Sequence, residues 1–594
     1  MARIGWMIAA AALFALPFSG CSKKDTKDQA GTKTGGAGDT VKPGGAKEAG
    51  GDSTGTGSGG AKPVEGCNSD LSQPITADTT FTAKCSPYKV AGDLAVDGWN
   101  LTVEPGVEIQ FADGANLGVA YTKASKLFVK GTAEKPVKLV GVRKEAGSWH
   151  GVRLWPQAEG STLENLTIEY AGSDQAALFI EAADVSVKGL AVVKTRKTAL
   201  NVLPQEGAVK ELSGLDFSQA GGDPDELVTL QTMSVGALGA GNKFPEKAVI
   251  VAGGAVYKDV KVTVQPAPYR FLGEITVDAP EGKSASLSFE AGVVAQMSET
   301  AVIAIGYNRT GHLKIAGTAE KPVTFTRYGE DPKATPWKGI VFWGHARAPQ
   351  IDYAVFEYVG SKEEAAMKFE GDALGLGSIT HTTFKHVPGD AIVVTSPKER
   401  FTAFDNNTFE DVGGASLSGS LYWAHNLGAA NKLTYVRITE GTSEDVTLKA
   451  VGAPYQLEGE IAFNGAGAKI SALTIEPGAA LRFSESGSLG IGYNAAARLV
   501  AKGTADKPIT FANATEGQKW QGLAAWGNGT LELENCTFTS VNEEKPAIDV
   551  QPEGKGSVKS VTFKDVKVGV KNCGKVATAG LKIDGAGKAV EKCE

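Results

Sequence analysis

One heptapeptide appears three times in this chain at a fixed interval, and that interval limits the folds open to it. Gly131-Thr132-Ala133-Glu134-Lys135-Pro136-Val137 recurs at 317–323 and again as Gly503-Thr504-Ala505-Asp506-Lys507-Pro508-Ile509, each step being 186 residues. Leu101-Thr102-Val103-Glu104-Pro105-Gly106 has partners beginning at Leu287 and Leu473, and Tyr121, Tyr307 and Tyr493 keep the same step. Pro87-Tyr88, Pro268-Tyr269 and Pro454-Tyr455 open the units, and the third unit ends after 141 residues. Chance does not hold a register across several motifs. The body is therefore three copies of one unit, at 67–266, 267–452 and 453–594, with the last truncated. Self-similarity at a long fixed period is the sequence signature of a repeat architecture.

Inside a unit, short apolar runs alternate with turn residues: LTVEPGVEIQF, KLFVKG, PVKLVG, HGVRLW and LENLTIEYAG. In LENLTIEYAG, alternation at Leu166, Ile168 and Tyr170 places every second side chain on one face, as in a strand. Helical periodicity is nearly absent after the N-terminal segment. The 75 glycines among 594 residues supply turns in numbers that few folds need. Runs of about five residues broken by Gly, Asn or Pro suit stacked coils, each strand pairing with its equivalent one turn along. The fold class expected is an all-β solenoid of three tandem units.

The phrases VEPGVEIQF, GTAEKPVTF, WKGIVFW and NNTFEDVGG resemble those of the right-handed parallel β-helix proteins, the pectate-lyase-like superfamily. They are most similar to its repetitive bacterial surface members. The resemblance covers about residues 85–594 and implies a coil architecture, not an activity. With roughly 20–25 residues per coil and strands ~4.8 Å apart, one continuous helix would be on the order of 100 Å long. Three separate β-rich modules are the rival arrangement. The join VKVTVQPAPYRFLGEITV, with no linker composition, speaks against it.

The N-terminus reads as an export signal. Arg3 precedes the apolar run Ile4 to Leu16, which is too short to span a bilayer but suits a signal core. The run closes with Leu16-Pro17-Phe18-Ser19-Gly20-Cys21, which resembles the bacterial lipobox, with Phe18 where that motif prefers Leu. The resemblance implies that residues 1–21 are a lipoprotein signal peptide and that Cys21 is the lipidated residue. Residues 22–66 contain no aromatic, and their only larger aliphatics are Val41 and Val64. Such a segment cannot bury enough surface to fold and reads as a disordered Gly-rich tether. Its r.m.s. span is roughly 35–40 Å, a stand-off that an anchored protein uses. Ser22 follows the cysteine where inner-membrane lipoproteins often carry Asp. The expected location is thus the outer membrane or cell surface of a Gram-negative envelope.

Residues 1–66 carry eight Lys/Arg and six Asp/Glu of the chain's 60 and 67, leaving 52 against 61 in the body, a net of −9. That body repels phosphate backbones, so nucleic acid is excluded as a partner.

Five cysteines remain besides Cys21, and four sit at the ends of the body. Solenoids need their end coils sealed and export permits disulfides, so Cys67 with Cys85 and Cys573 with Cys593 are expected to be two clasps. Cys536 occupies the place of Leu166 and Ala354 in the other copies (LENC, LENL, IDYA), an inward apolar position, and is expected to be a buried thiol. No CxxC pair or histidine cluster suggests zinc.

Catalytic constellations are not evident. None of His150, His312, His345, His381, His386 and His425 recurs in all units, and His150 becomes Lys338 and Gln521 in the other copies. His381 and His386 lie close enough in sequence to pair, without a nucleophile motif beside them. Glu104, Glu290 and Glu476 recur but precede turns, so they read as turn residues and not as the spaced carboxylates of glycoside hydrolysis. Asp223, Asp225 and the run Asp405-Asn406-Asn407 could bind calcium, although turns favour the same residues. No other cofactor is expected.

The binding candidates are aromatic. Each unit has Trp-x-Gly-x-x-x-Trp: Trp149 with Trp155, Trp337 with Trp343, Trp520 with Trp526. A spacing of six is expected to keep both rings on one side of an extended chain. Exposed, they would be platforms for sugar rings; buried, they would be core stacking at a corner. The reading that joins these features is a lipid-anchored, non-enzymatic β-helix that binds polysaccharide, matrix or partner proteins. A polysaccharide lyase or hydrolase with an unrecognised site and a purely structural spacer are its rivals.

Overall fold

The computed structural model describes residues 67–329, 334–371, 375–395, 400–425 and 427–593. Cys21, the signal segment and the tether lie outside the described residues. Among the described residues no helix is long and apolar enough to cross a membrane, and the longest, Thr232–Val235, is a single turn.

The chain from residue 67 onward is a right-handed parallel β-helix. Every pairing between named strands is parallel and joins a strand to its equivalent one coil along, as Asn116–Val119 to Gly151–Leu154 and Gly151–Leu154 to Leu178–Ile180. Each coil visits three faces. In the first unit Leu101–Val103 lies on the first face, Glu108–Phe111 on the second and Asn116–Val119 on the third. Alternation decides what is inside: in Glu108–Phe111, Ile109 and Phe111 are buried and Gln110 is half-buried on the outer side. Inward residues stack on their own kind, for example Phe325, Phe356, Phe384 and Phe409, with ring centroids 5.1, 5.3 and 5.2 Å apart.

The repeated motifs are corners. In GTAEKPV the hydroxyl oxygens of Thr132, Thr318 and Thr504 accept from the backbone N–H of Lys135, Lys321 and Lys507, each at 3.1 Å. The leading glycine admits no side chain, because a Cβ at Gly131, Gly317 or Gly503 would come within 2.5 Å of a carbonyl oxygen on the next coil.

The units are joined through continuous sheets. One thirteen-stranded sheet runs from Leu94–Val96 to Thr408–Val412, and a second from Glu274–Val277 to Lys582–Asp584. At the first junction Ile250–Gly253 pairs with Tyr269–Leu272 over four residues. Tyr269–Leu272 then pairs with Val294–Met297, which the 186-residue step equates with Glu108–Phe111 of the second face. The sheet that forms the third face of the first unit thus becomes the second face of the next. The same shift recurs at the second junction through Val436–Glu440 and Tyr455–Leu457.

Disulfides close both ends. Cys67–Cys85 and Cys573–Cys593 have Cα separations of 5.4 and 4.9 Å. Cys536 is a free, buried thiol, and its Sγ donates to the carbonyl of Ala501 at 3.3 Å.

Candidate functional site

The Trp-x-Gly corner corrects the sequence expectation for the tryptophan pairs. Trp149, Trp337 and Trp520 are fully buried, while Trp155, Trp343 and Trp526 are half-buried on the outside. Six residues of extended chain would keep both rings on one side, but the glycine between them breaks the alternation. Gly151, Gly339 and Gly522 have φ of +117°, +102° and +86°, and a Cβ there would meet the carbonyls of Ala177, Ala366 and Pro546 at 2.5, 2.3 and 2.6 Å. The chain turns at that residue and the face parity changes. The inner indoles donate to the carbonyls of Glu169, Glu357 and Thr539 at 2.8, 3.2 and 2.8 Å. Trp149 stacks on Phe111 and Trp520 on Phe483, with centroids 4.2 and 4.0 Å apart. These three rings are core.

The outer tryptophans meet partners that the sequence reading did not connect to them. Tyr121 packs edge-on against Trp155, Tyr307 against Trp343 and Tyr493 against Trp526, at 4.9, 5.0 and 4.9 Å. The tyrosines are among the exposed large hydrophobic side chains of the body, at 67, 46 and 59 %. Their 186-residue step was visible, but each lies 33 to 36 residues before its tryptophan. Only the coil length brings the two together on adjacent turns.

Three local devices hold each pair. A left-handed residue precedes the tyrosine, Ala120, Gly306 or Gly492, with φ of 61°, 68° and 73°. A side chain from the coil below then fixes the turn after it. Asp97 accepts from the N–H groups of Thr122 and Lys123 at 2.9 and 2.8 Å, Asp278 from Asn308 and Arg309 at 3.2 and 3.4 Å, and Asn464 from Asn494 at 2.9 Å. Burial works against ionisation of Asp97, yet the bonds from Thr122 and Lys123 outweigh it and hold its carboxyl below the usual range. Beneath the indoles the strand carries small residues: a Cβ at Gly118 or Gly490 would lie 3.9 or 3.4 Å from the Trp155 or Trp526 nitrogen, and Ala304 stands at the equivalent step.

One coil beyond each tryptophan stands a polar group. Glu181, Glu370 and Gln551 follow strands in register with those ending before Trp155, Trp343 and Trp526. Arg153 makes two bonds of 3.1 Å to Glu181, with its guanidinium 3.4 Å from the centre of the Trp155 ring. Lys368 pairs with Glu370, and Gln551 donates to Asp549 at 2.8 Å. Beside the first pair, Asn116, His150, Arg153, Trp155 and Gln175 line a cavity of about 80 Å³.

His150 contacts Ser173 and Asp174, each at 2.6 Å, which brings the residue types of a hydrolytic triad together. Both contacts are to Nδ1, whereas the triad needs the nucleophile on the opposite ring nitrogen. Burial opposes ionisation of Asp174, but bonds from His150 and Ser173 prevail and lower its pKa, so the cluster is a carboxylate–imidazole contact. His381 and His386 do not pair with each other. They stack on Tyr353 and Tyr358 at 4.3 and 4.6 Å and meet Asp352 and Asp411 through Nδ1.

The turn carboxylates named for calcium have other partners. Asp223 accepts from the Asp225 N–H, Asp225 meets Arg270 and Tyr328, and Asp405 accepts from the Ala430 N–H. The backbone N–H of Asn407 donates to Asn431 Oδ1 at 2.9 Å in an internal ladder. Among the described residues, no group of three or more His, Cys, Asp or Glu side chains is placed to hold a metal.

Among known families, a model described as a pectate-lyase-like β-helix domain matches residues 74–178, the stretch that contains Tyr121 and Trp155. A comparison with curated proteins finds no match.

Proposed function

We propose that the chain is a lipid-anchored, non-enzymatic β-helix of the outer membrane or cell surface that binds polysaccharide through its outer Tyr–Trp pairs. The observation that carries this reading is the threefold repetition of one exposed aromatic pair with the same supports beneath it. Packing alone does not require a tyrosine at 46 to 67 % exposure at the same step in every unit. Aromatic rings offer apolar faces to the C–H side of sugars, and a carboxylate or amide one coil away can bond hydroxyls. Sites repeated three times suit multivalent contact, whereas an active site is needed once.

The test is retention of the full-length chain on immobilised polysaccharides, compared with a variant in which Trp155, Trp343 and Trp526 are alanine. Loss of one ring contact costs about 0.5–1.5 kcal/mol beyond its area term, so the triple variant should lose retention at temperatures where it is still folded. Retention unchanged in the triple variant, or reducing sugar released by the purified protein, defeats the reading. The anchor is tested separately: cells fed labelled fatty acid should label the chain, and Cys21→Ala should abolish the label.

A further inference from the structure

We infer that the three Tyr–Trp platforms hold three separate strands of a neutral polysaccharide, so that one molecule cross-links the polymer instead of lying along it. This inference rests on the polysaccharide reading above and specifies its ligand and geometry.

The argument is topological. From Asn116–Val119, which leads to Tyr121, the first long sheet takes seven steps to reach Val294–Met297. The next strand along the chain, Val302–Ile305, leads to Tyr307 but belongs to the other long sheet. The 186-residue step therefore spans seven coils and one face, not a whole number of coils. The step from Val302–Ile305 to Ser488–Ile491 repeats this, and the third platform stands on a third sheet, Glu460–Phe463 to Lys588–Lys592. Neighbouring platforms are separated by about 35 Å along the axis at ~4.8 Å per coil, and each is carried one face further round.

A straight polymer on the Trp155 platform that follows the first sheet does not meet Trp343. Seven coils on, the position in line with Trp155 is Tyr328. Its ring lies under the Arg270 guanidinium at 3.5 Å, and its hydroxyl donates to Asp225 at 3.1 Å. The equivalent step in the third unit is Ala514, so this line carries no repeated platform.

Charge selects the ligand class. The groups in line with the three tryptophans are Glu181, Glu370 and Gln551, on a body of net −9. Glu181 and Glu370 are paired with Arg153 and Lys368, so repulsion of a uronate polymer comes from the net −9 of the body, whereas a neutral glycan offers hydroxyls to both carboxylate and amide.

The test uses the full chain carrying Cys21→Ala, so that micelles do not gather several copies. Calorimetry with neutral hexasaccharides of β-1,4-glucose, β-1,4-mannose and β-1,3-glucose should give three sites for one of them. Each of Trp155→Ala, Trp343→Ala and Trp526→Ala should remove one site and leave the affinity of the others within about twofold. Tyr121→Ala, Tyr307→Ala and Tyr493→Ala remove the same platforms through more exposed residues, with the melting temperature as the check on folding. Light scattering with the corresponding long polymer should show bridging by any chain with two platforms and none by a chain with one. Binding of one long strand across all platforms would overturn the inference: each lost ring would then weaken polymer affinity about tenfold or more, without bridging. Absence of binding to every hexasaccharide and polymer would instead remove the polysaccharide reading, and this inference with it.

Discussion

Replacing Trp149 and Trp155 by alanine, one at a time, should separate the two tryptophan classes by about 2 kcal/mol. Trp149 is fully buried, stacks on Phe111 at 4.2 Å with ring planes 4° apart, and donates to the Glu169 carbonyl at 2.8 Å. Truncating a buried Trp costs about 3–5 kcal/mol through lost transfer energy and the cavity left behind. Trp155 is half-buried and makes an edge contact to Tyr121 and a cation–π contact to Arg153. Its loss removes roughly 0.5–1.5 kcal/mol from the aromatic contact and about 0.5–1 kcal/mol from the partly exposed cation–π contact. The assay is hydrogen exchange resolved along the chain, because a solenoid communicates damage mainly to neighbouring coils. Trp149→Ala should raise exchange in Glu108–Phe111, Val137–Gly141 and Thr162–Glu169, and Trp155→Ala should leave these strands close to wild type. Equal destabilisation by the two changes would refute the assignment of one ring to the core and the other to the surface.

Three other consequences follow from named groups. Burial pushes the Cys536 thiol up to about 12, so at pH 8 it should resist iodoacetamide in the folded chain and react only after unfolding; rapid native alkylation would contradict the buried placement. Hydrogen bonds from Lys567, then Lys519, lower the Glu543 carboxyl from 4.5 to about 2. Its contribution should be complete above about pH 4.5 and fade as pH falls towards 2, and a carboxyl that NMR titrates near its ordinary value would contradict this. Cys573→Ser opens the clasp that spans 20 residues, a loop whose closure is worth about 3 kcal/mol. Proteolysis should begin in the last coil while the first unit stays protected, and unfolding of the whole rod would contradict nearest-neighbour stability.

Much of the architecture was legible because a β-helix writes its coils into the sequence. The threefold GTAEKPV motif marked corners whose leading glycine and threonine have defined steric and hydrogen-bonding duties. The terminal cysteines marked the caps, and the exchange of Leu166 for Cys536 marked an inward position. The disposition of the tryptophans was not legible from spacing, because one positive-φ glycine reverses the parity that the spacing assumes. The Tyr–Trp pairing was hidden for a different reason. It joins residues 33 to 36 apart, a separation set by coil length and loop insertions that no local pattern reports. The passage of a face into its neighbour at each junction was equally hidden, since it depends on 186 residues not being a whole number of coils.

Indole N–H resonances of the nine tryptophans provide the most direct measurement of the central claim. Spectra of the full chain carrying Cys21→Ala are recorded while the neutral hexasaccharide that binds is added. The account predicts shifts for Trp155, Trp343 and Trp526, assigned by single substitution, with Trp149, Trp337 and Trp520 unmoved. Saturable binding that leaves those three outer signals in place would contradict it.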